Sequence, residues 1–178
     1  MNCYRNKYGL LVFILFTFII SGCKREQPSV SEEEYAETKK KMVEVNKILV
    51  RKDRQLIIGY IDRHKLDMKE SETGLWYDVI EKGEGKPAGE GKKATIRYTI
   101  SLLDGTECYS STTEGLKIFT IGRGGVETGL EVGILMLNEG GKAKFIMPPH
   151  LAHGLPGDGN KIPPRAIILY DVEVLSIE

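Results

Sequence analysis

Hydrophobic and polar positions divide the chain into three textures. Leu10 to Ile20 is a continuous apolar run that follows Arg5 and Lys7. It is too short to favour a membrane span and has the form of a secretory h-region. From Ser31 onward, apolar residues recur at helical spacing. Tyr35, Met42, Leu49 and Leu56 fall every seven residues, with Val45, Ile48 and Ile57 beside them and Lys39, Lys40 and Lys41 on the other faces. This predicts an amphipathic helix running to about Arg63, with a break near Gly59. Ser31-Glu32-Glu33-Glu34 opens it as a capping box, and its acidic residues suit the positive end of a helix. Lys52 and Gly59 stand where a strict coiled-coil seam wants apolar residues. Two arrangements therefore stay open: a spacer helix whose stripe docks on its own domain, and a homodimer through residues 31–66.

After a polar link from Asp67 to Thr73 the period shortens. Leu75–Ile80, Lys93–Leu103, Lys117–Ile121, Lys142–Met147 and Ile167–Ile177 read as strands. Ala94, Ile96, Tyr98 and Ile100 alternate onto one face, and Asp104-Gly105 signals a hairpin. Glu127 to Leu137 is a short apolar-periodic segment that predicts a helix of two or three turns. The pattern implies an α+β domain of five or six mostly antiparallel strands around one short helix. Between the last two strands lies a Gly- and Pro-rich loop, Met147 to Ala166. Pro163 and Pro164 fix two φ angles and remove two donors, so the loop cannot continue a sheet. Loops of set shape on a rigid scaffold are where function concentrates.

Composition narrows the function more than the fold. The 178 residues suffice for one domain plus accessories, and 41% hydrophobic content suits an ordinary core. Twenty-five basic residues balance twenty-five acidic ones, so no global basic field points to nucleic acid. The first apolar run ends Ile20-Ser21-Gly22-Cys23, which resembles a bacterial lipobox. Residues 1–22 are then a lipoprotein signal peptide, Cys23 is the lipidated first mature residue, and 23–30 is a short tether. Several acyl chains anchor stably where one does not. Cys3 leaves with the signal and Cys23 is blocked, so Cys108 remains a lone thiol, read as a small buried hydrophobe rather than a nucleophile. Gly83-Glu84-Gly85 and Gly122-Arg123-Gly124-Gly125 lack phosphate-loop spacing. His150, His153 and Asp158 lack the glutamate of a zinc-protease helix, and Ser110-Ser111 has no nucleophile elbow. Neither metal nor cofactor is expected.

From about Gly74 to Glu178 the chain resembles the FK506-binding-protein (FKBP) type of peptidyl-prolyl isomerase. The likeness runs through Gly74-Leu75-Trp76-Tyr77, Tyr98-Thr99, Asp104-Gly105, Ser110-Ser111 and Phe119-Thr120-Ile121-Gly122. It continues through Gly129, Gly133, Met136, Pro149-His150-Leu151-Ala152-His153-Gly154, Ile162-Pro163-Pro164-Arg165-Ala166 and Tyr170-Asp171-Val172-Glu173-Val174-Leu175. Together with the lipobox and the helix it is similar to the gliding-motility-associated FKBP-type lipoproteins. The resemblance implies a curved antiparallel sheet wrapped around the short helix over residues 74–178, with a prolyl cleft between them. By position the cleft is lined by Tyr98, Phe119, Val126, Glu127, Leu130, His153, Ile162 and Tyr170, with Cys108 and Tyr109 at its rim. Trp76 falls outside it. The implied activity is prolyl isomerisation on proline-containing segments of exported proteins, from a lipid anchor in the outer membrane facing the periplasm.

Several positions depart from the family pattern. His153 replaces the usual Tyr, so a phenolic donor becomes an imidazole with its own pH sensitivity. Cys108-Tyr109 replaces an aromatic-Asp pair, Leu130 a floor aromatic, Glu127 an Ile, and Lys117 stands where an aromatic is common. These changes remove stacking area and one buried carboxylate. They leave a second reading in place, a catalytically weak peptide-binding or scaffold lipoprotein that serves a secretion or motility machine.

Overall fold

A computed structural model describes residues 31–178. The expected signal peptide, the expected lipidation at Cys23 and the expected tether all fall outside the described residues. The described residues fall into two units, 31–43 and 44–178, and the positions expected to line the cleft all belong to the second. The first helix, α1, spans Glu32–His64. Ser31 Oγ accepts the Glu34 backbone N–H at 3.2 Å, the forward half of the expected capping box. The helix runs through Gly59 without the expected break. A glycine inside a helix costs only about 1 kcal/mol, and the neighbouring Ile57 and Ile61 are buried.

The remaining elements are β1 (Lys69–Glu70), β2 (Trp76–Glu81), β3 (Lys93–Leu102), β4 (Glu107–Ser110), α2 (Ser111–Glu114), β5 (Lys117–Thr120), α3 (Thr128–Ile134), β6 (Lys142–Met147) and β7 (Ile168–Ile177). They make one antiparallel sheet of order β1-β2-β6-β7-β3-β4, with β5 also paired to β3. Seven strands form where five or six were expected. The surplus comes from the two-residue β1 inside the polar link and from β4 on the return side of the Asp104-Gly105 hairpin.

β3 is the hub of the sheet. One edge pairs with β7 from Ala94 to Leu102, while the other is shared by β5 over Lys93–Ile96 and β4 over Thr99–Ser101. Tyr98 falls in the gap between those two partners. There the Ser111 hydroxyl stands in for a strand, accepting the Tyr98 N–H at 3.2 Å and donating to its carbonyl at 3.3 Å. The edge backbone is thus satisfied at the point where the chain turns aside.

Strand alternation sorts the two faces. Ala94, Ile96, Tyr98, Ile100, Phe145, Met147, Tyr170, Val172 and Val174 belong to the main core. The outer face carries cross-strand ion pairs, Arg97 with Glu173, Lys144 with Asp171, and Lys142 with Glu81. At one end of that face Trp76, Ile146 and Leu169 stand in register across β2, β6 and β7. Ile57 and Ile61 of α1 pack on this apolar row, and the Arg54 guanidinium lies 5.7 Å from the Trp76 ring centroid. The docking face of α1 is therefore Asp53-Ile57-Ile61, not the expected heptad stripe, of which Met42 and Leu56 are exposed.

On the inner face α3 lies very close to β6. A Cβ at Gly133 would stand 2.5 Å from Phe145 Cζ, and one at Gly129 2.8 Å from Met147 Sδ. Phe145 and Met147 are fully buried and have no room to yield. Gly133→Ala is therefore expected to lower the unfolding free energy by about 1–3 kcal/mol through overpacking, read as a reduced denaturant midpoint at unchanged slope.

Candidate functional site

The close approach of α3 to the sheet fixes its N-cap, Glu127. This residue has extended backbone (φ −61°, ψ 137°), and its carbonyl accepts the N–H groups of Leu130 and Glu131. Its own N–H makes no hydrogen bond among the described residues. Its carboxylate does not cap the helix. It is buried and turns instead toward two side chains: Lys117 Nζ lies 3.4 Å from Oε2, and His153 Nε2 lies 3.3 Å from Oε1.

Lys117 comes from β5, where register pairs it with the inward-facing Ile96. Its ammonium donates to the Tyr170 hydroxyl at 2.7 Å. It also sits 4.8 Å from the Tyr98 ring centroid and 5.4 Å from that of Tyr170, in cation–π range. Tyr170 is fully buried, and its ring is 5.8 Å from that of Tyr98. Burial, followed by the Glu127 carboxylate and then Tyr98, pushes the Tyr170 phenol far above its ordinary value. Burial, then Glu114 and Glu127, raises Tyr98 as well. Both phenols stay neutral at any physiological pH.

A cavity of about 390 Å³ opens beside this group, lined by Lys117, Gly125, Val126, Glu127, Ala152 and His153. Phe119, Leu130, Ile162, Tyr98 and Tyr170 do not line it. They belong to the contiguous apolar core next to it, and Lys117, which lines the cavity, brings its ammonium against the two tyrosine rings. His153 contributes a buried Nε2 that makes no hydrogen bond. The short contact to Glu127 is one of distance only, because its angles are unsuited to a hydrogen bond.

The loop wall is braced from within. Asp158 Oδ1 accepts the N–H groups of Asn160 and Ile162, each at 2.8 Å, and Oδ2 accepts the Tyr109 hydroxyl. This places the nearly fully buried Ile162 against the core. Burial would raise the Asp158 carboxyl, but the bonds from Tyr109, Asn160 and Ile162 outweigh it and hold it at about 2. Tyr109, expected at the cleft rim, braces the loop through Asp158, and an Asp in its place would oppose a second carboxylate. Cys108 is buried in the core rather than open at a rim, with Sγ 3.5 Å from the Lys161 carbonyl. Burial, then Asp158 and Asp104, raises its thiol, which is the opposite of what a thiolate nucleophile requires. His150 faces away, with Nε2 3.2 Å from the Thr73 carbonyl.

The fold agrees with comparisons to known proteins. The profile of the FKBP-type peptidyl-prolyl cis-trans isomerases matches residues 84–175. The chain belongs to that family. It is 36% identical over 105 residues to the FK506-binding protein of Neisseria meningitidis serogroup B, covering 58% of this chain and 96% of that relative. It is 35% identical over 111 residues to the FKBP-type isomerase FkpA of Escherichia coli K12, covering 62% of this chain and 40% of the relative. The crystal structure of FkpA from Escherichia coli superposes with a TM-score of 0.62 at 27% identity, over 97% of this chain and 82% of that one. The chain thus spans less than half the length of the FkpA sequence it matches.

Within this FKBP domain, residue-type reasoning alone left Lys117 and Asp158 outside the site. Strand parity marks the first, since Lys117 shares a face with the buried Phe119 and Ile121 while the apolar Ile118 points out. For Asp158 the signal is the Asp-Gly-Asn turn ahead of Ile162.

The depressed Asp158 carboxyl sets a pH dependence with a definite sign. Its folded value lies below the ordinary 3.8, so its contribution is complete above about pH 4 and is lost as pH falls toward 2. The stability difference between the wild type and Asp158→Asn should be constant above about pH 4 and shrink below it, as read from denaturant unfolding at a series of pH values.

Proposed function

We propose that this chain is a lipid-anchored peptidyl-prolyl cis-trans isomerase of the cell envelope, acting on extended, proline-containing segments of exported proteins. One observation carries the reading: Glu127, whose N–H is unpaired among the described residues, lines the cavity together with Val126 and Ala152, which pack against the apolar core that holds Tyr98, Phe119, Leu130, Ile162 and Tyr170. In this reading Glu127 N–H holds the peptide carbonyl and Tyr98 supports it. Phe119 and Tyr170 pack the proline ring, Val126 and Leu130 form the floor, and Ile162 and His153 form the loop wall. The basic, apolar and Ser-Gly-Cys segments before residue 24 supply export and lipidation at Cys23, with the domain in the periplasm on the outer membrane.

The chemistry asks for no nucleophile. The barrier to amide rotation, about 18–20 kcal/mol, arises from resonance that the twisted transition state lacks. A site with little water favours the less charge-separated twisted amide over the planar one. A thousandfold acceleration needs only about 4 kcal/mol.

The Lys117–Glu127 pair favours a second reading, a peptide-binding groove with weak catalysis, because the ammonium must move before proline reaches the tyrosine rings. A prolyl-isomerisation assay on the chain, paired with peptide titration, separates the two. Turnover above the spontaneous rate is expected, and binding without turnover would leave the groove reading alone. Replacing the ion pair by Lys117→Phe with Glu127→Ile should raise kcat/KM about tenfold, since a buried pair exchanged for apolar groups of similar volume often costs little stability.

The exposed Tyr35, Met42, Val45 and Ile48 of α1 supply an apolar face for a second copy of the chain. Val45→Lys with Ile48→Lys leaves the docking face of Asp53, Ile57 and Ile61 intact. The pair should convert a sedimenting dimer to a monomer. A monomeric wild type would refute the dimer.

A further inference from the structure

One partly buried ion pair ties the cleft loop to the helix on the opposite face of the sheet. Asp53 sits one turn before Ile57 on the docking face of α1 and is 8% exposed. Arg165 Nη2 donates to both of its carboxylate oxygens, at 3.1 and 2.8 Å. Arg165 follows Pro163-Pro164 and has φ +58°, one of two described non-glycine residues in the left-handed region. Long L side chains rarely adopt that conformation without outside help. Here the help is a charge-assisted contact, which a planar guanidinium makes in a fixed direction.

The left-handed backbone has a consequence at the cleft. It aims the Arg165 N–H at the Gly154 carbonyl, 3.0 Å away, while the Gly154 N–H donates to the Pro149 carbonyl at 2.8 Å. These two bonds close the base of the loop. Gly154 directly follows His153, whose Nε2 has no hydrogen bond of its own. The imidazole is therefore placed by its backbone rather than by a partner. Ile162 hangs from the same closed loop through Asp158. Ile167, two residues beyond Arg165, packs with Ile57 and Ile61 in the helix cluster, so the loop's exit is held by the same helix.

We infer that Asp53 is a positioning residue for the cleft: through Arg165 it sets the Gly154 carbonyl and thereby the stance of His153 and Ile162. The inference rests on the cleft being the prolyl site. The full chain should be compared with Asp53→Ala, Asp53→Asn, Asp53→Glu, Arg165→Ala and the Asp53→Ala/Arg165→Ala double. The readouts are KM and kcat on a proline-containing test peptide and the NMR signals of the His153 ring.

Asp53→Ala is expected to raise KM about fivefold with kcat within about twofold, as a misplaced binding wall does, and to shift the His153 signals. Asp53→Glu should recover most of the loss. The double variant should be no worse than Arg165→Ala alone, because the two groups act as one unit. Should Asp53→Ala fail to fold, Asp53→Asn, which keeps the shape without the charge, carries the same expectations. Unmoved His153 signals with unchanged KM in a folded variant would overturn the inference, even if stability fell. A wild-type chain without turnover would count against the cleft reading alone, and the His153 signals would still decide the role of Asp53.

Discussion

The site depends on how closely α3 approaches the sheet. Seven residues of helix are too few to hold themselves together in water, so α3 exists because it is pressed onto Phe145 and Met147. Gly129 and Gly133 remove the side chains that would keep it away. That approach carries Leu130 and Ile134 to full burial and sets Glu127 at the mouth of the concavity. A helix one methyl group further out would move the N-cap, the free N–H and the buried carboxylate together. The cleft is thus a product of core packing, and its backbone donor needs no side chain to define it.

What occupies the mouth of the cleft follows from charge rather than from shape. A buried carboxylate without partners would be costly, and Glu127 is compensated by the Lys117 ammonium. Lys117 in turn is compensated by two aromatic faces and a phenol oxygen. The group is locally consistent, and that consistency holds an ammonium against the Tyr98 and Tyr170 rings. Removing either partner alone leaves the other charge stranded. The pair therefore acts as one feature.

Much of this arrangement was legible in the order of residues. Strand periodicity located β2, β3, β5, β6 and β7 to within a residue or two, and the short helix α3 within a longer predicted segment. The Pro/Gly loop stood out because its residues cannot extend a sheet. The two-residue β1 carries no pattern at all and exists only because β2 offers an edge. The docking face of α1 was misassigned for a related reason. Apolar residues lie on several faces of that helix, and which face is buried depends on the row Trp76, Ile146 and Leu169, which strand register brings together. Asp53 was hidden further, since a carboxylate at a buried helical position has no apolar signature. Its partner Arg165 lies 112 residues away.

The loop shows how one chain can keep a family frame while altering what the frame presents. Its brace, Asp158 with Asn160 and Ile162 inside the loop and with Tyr109 from β4, holds the apolar wall. Its base depends instead on Arg165, whose left-handed backbone is sustained from across the sheet. Bracing of this kind fixes the shape of a loop, whereas the base fixes where that shape stands relative to α3. His153 and Glu127 face each other across that boundary, His153 on the loop and Glu127 on the helix cap. Their 3.3 Å approach is thus decided by two independent supports, the packing of α3 on Phe145 and the grip of Asp53 on Arg165. The cleft's width is a difference between two anchored positions, so a residue that never touches the peptide can still control it.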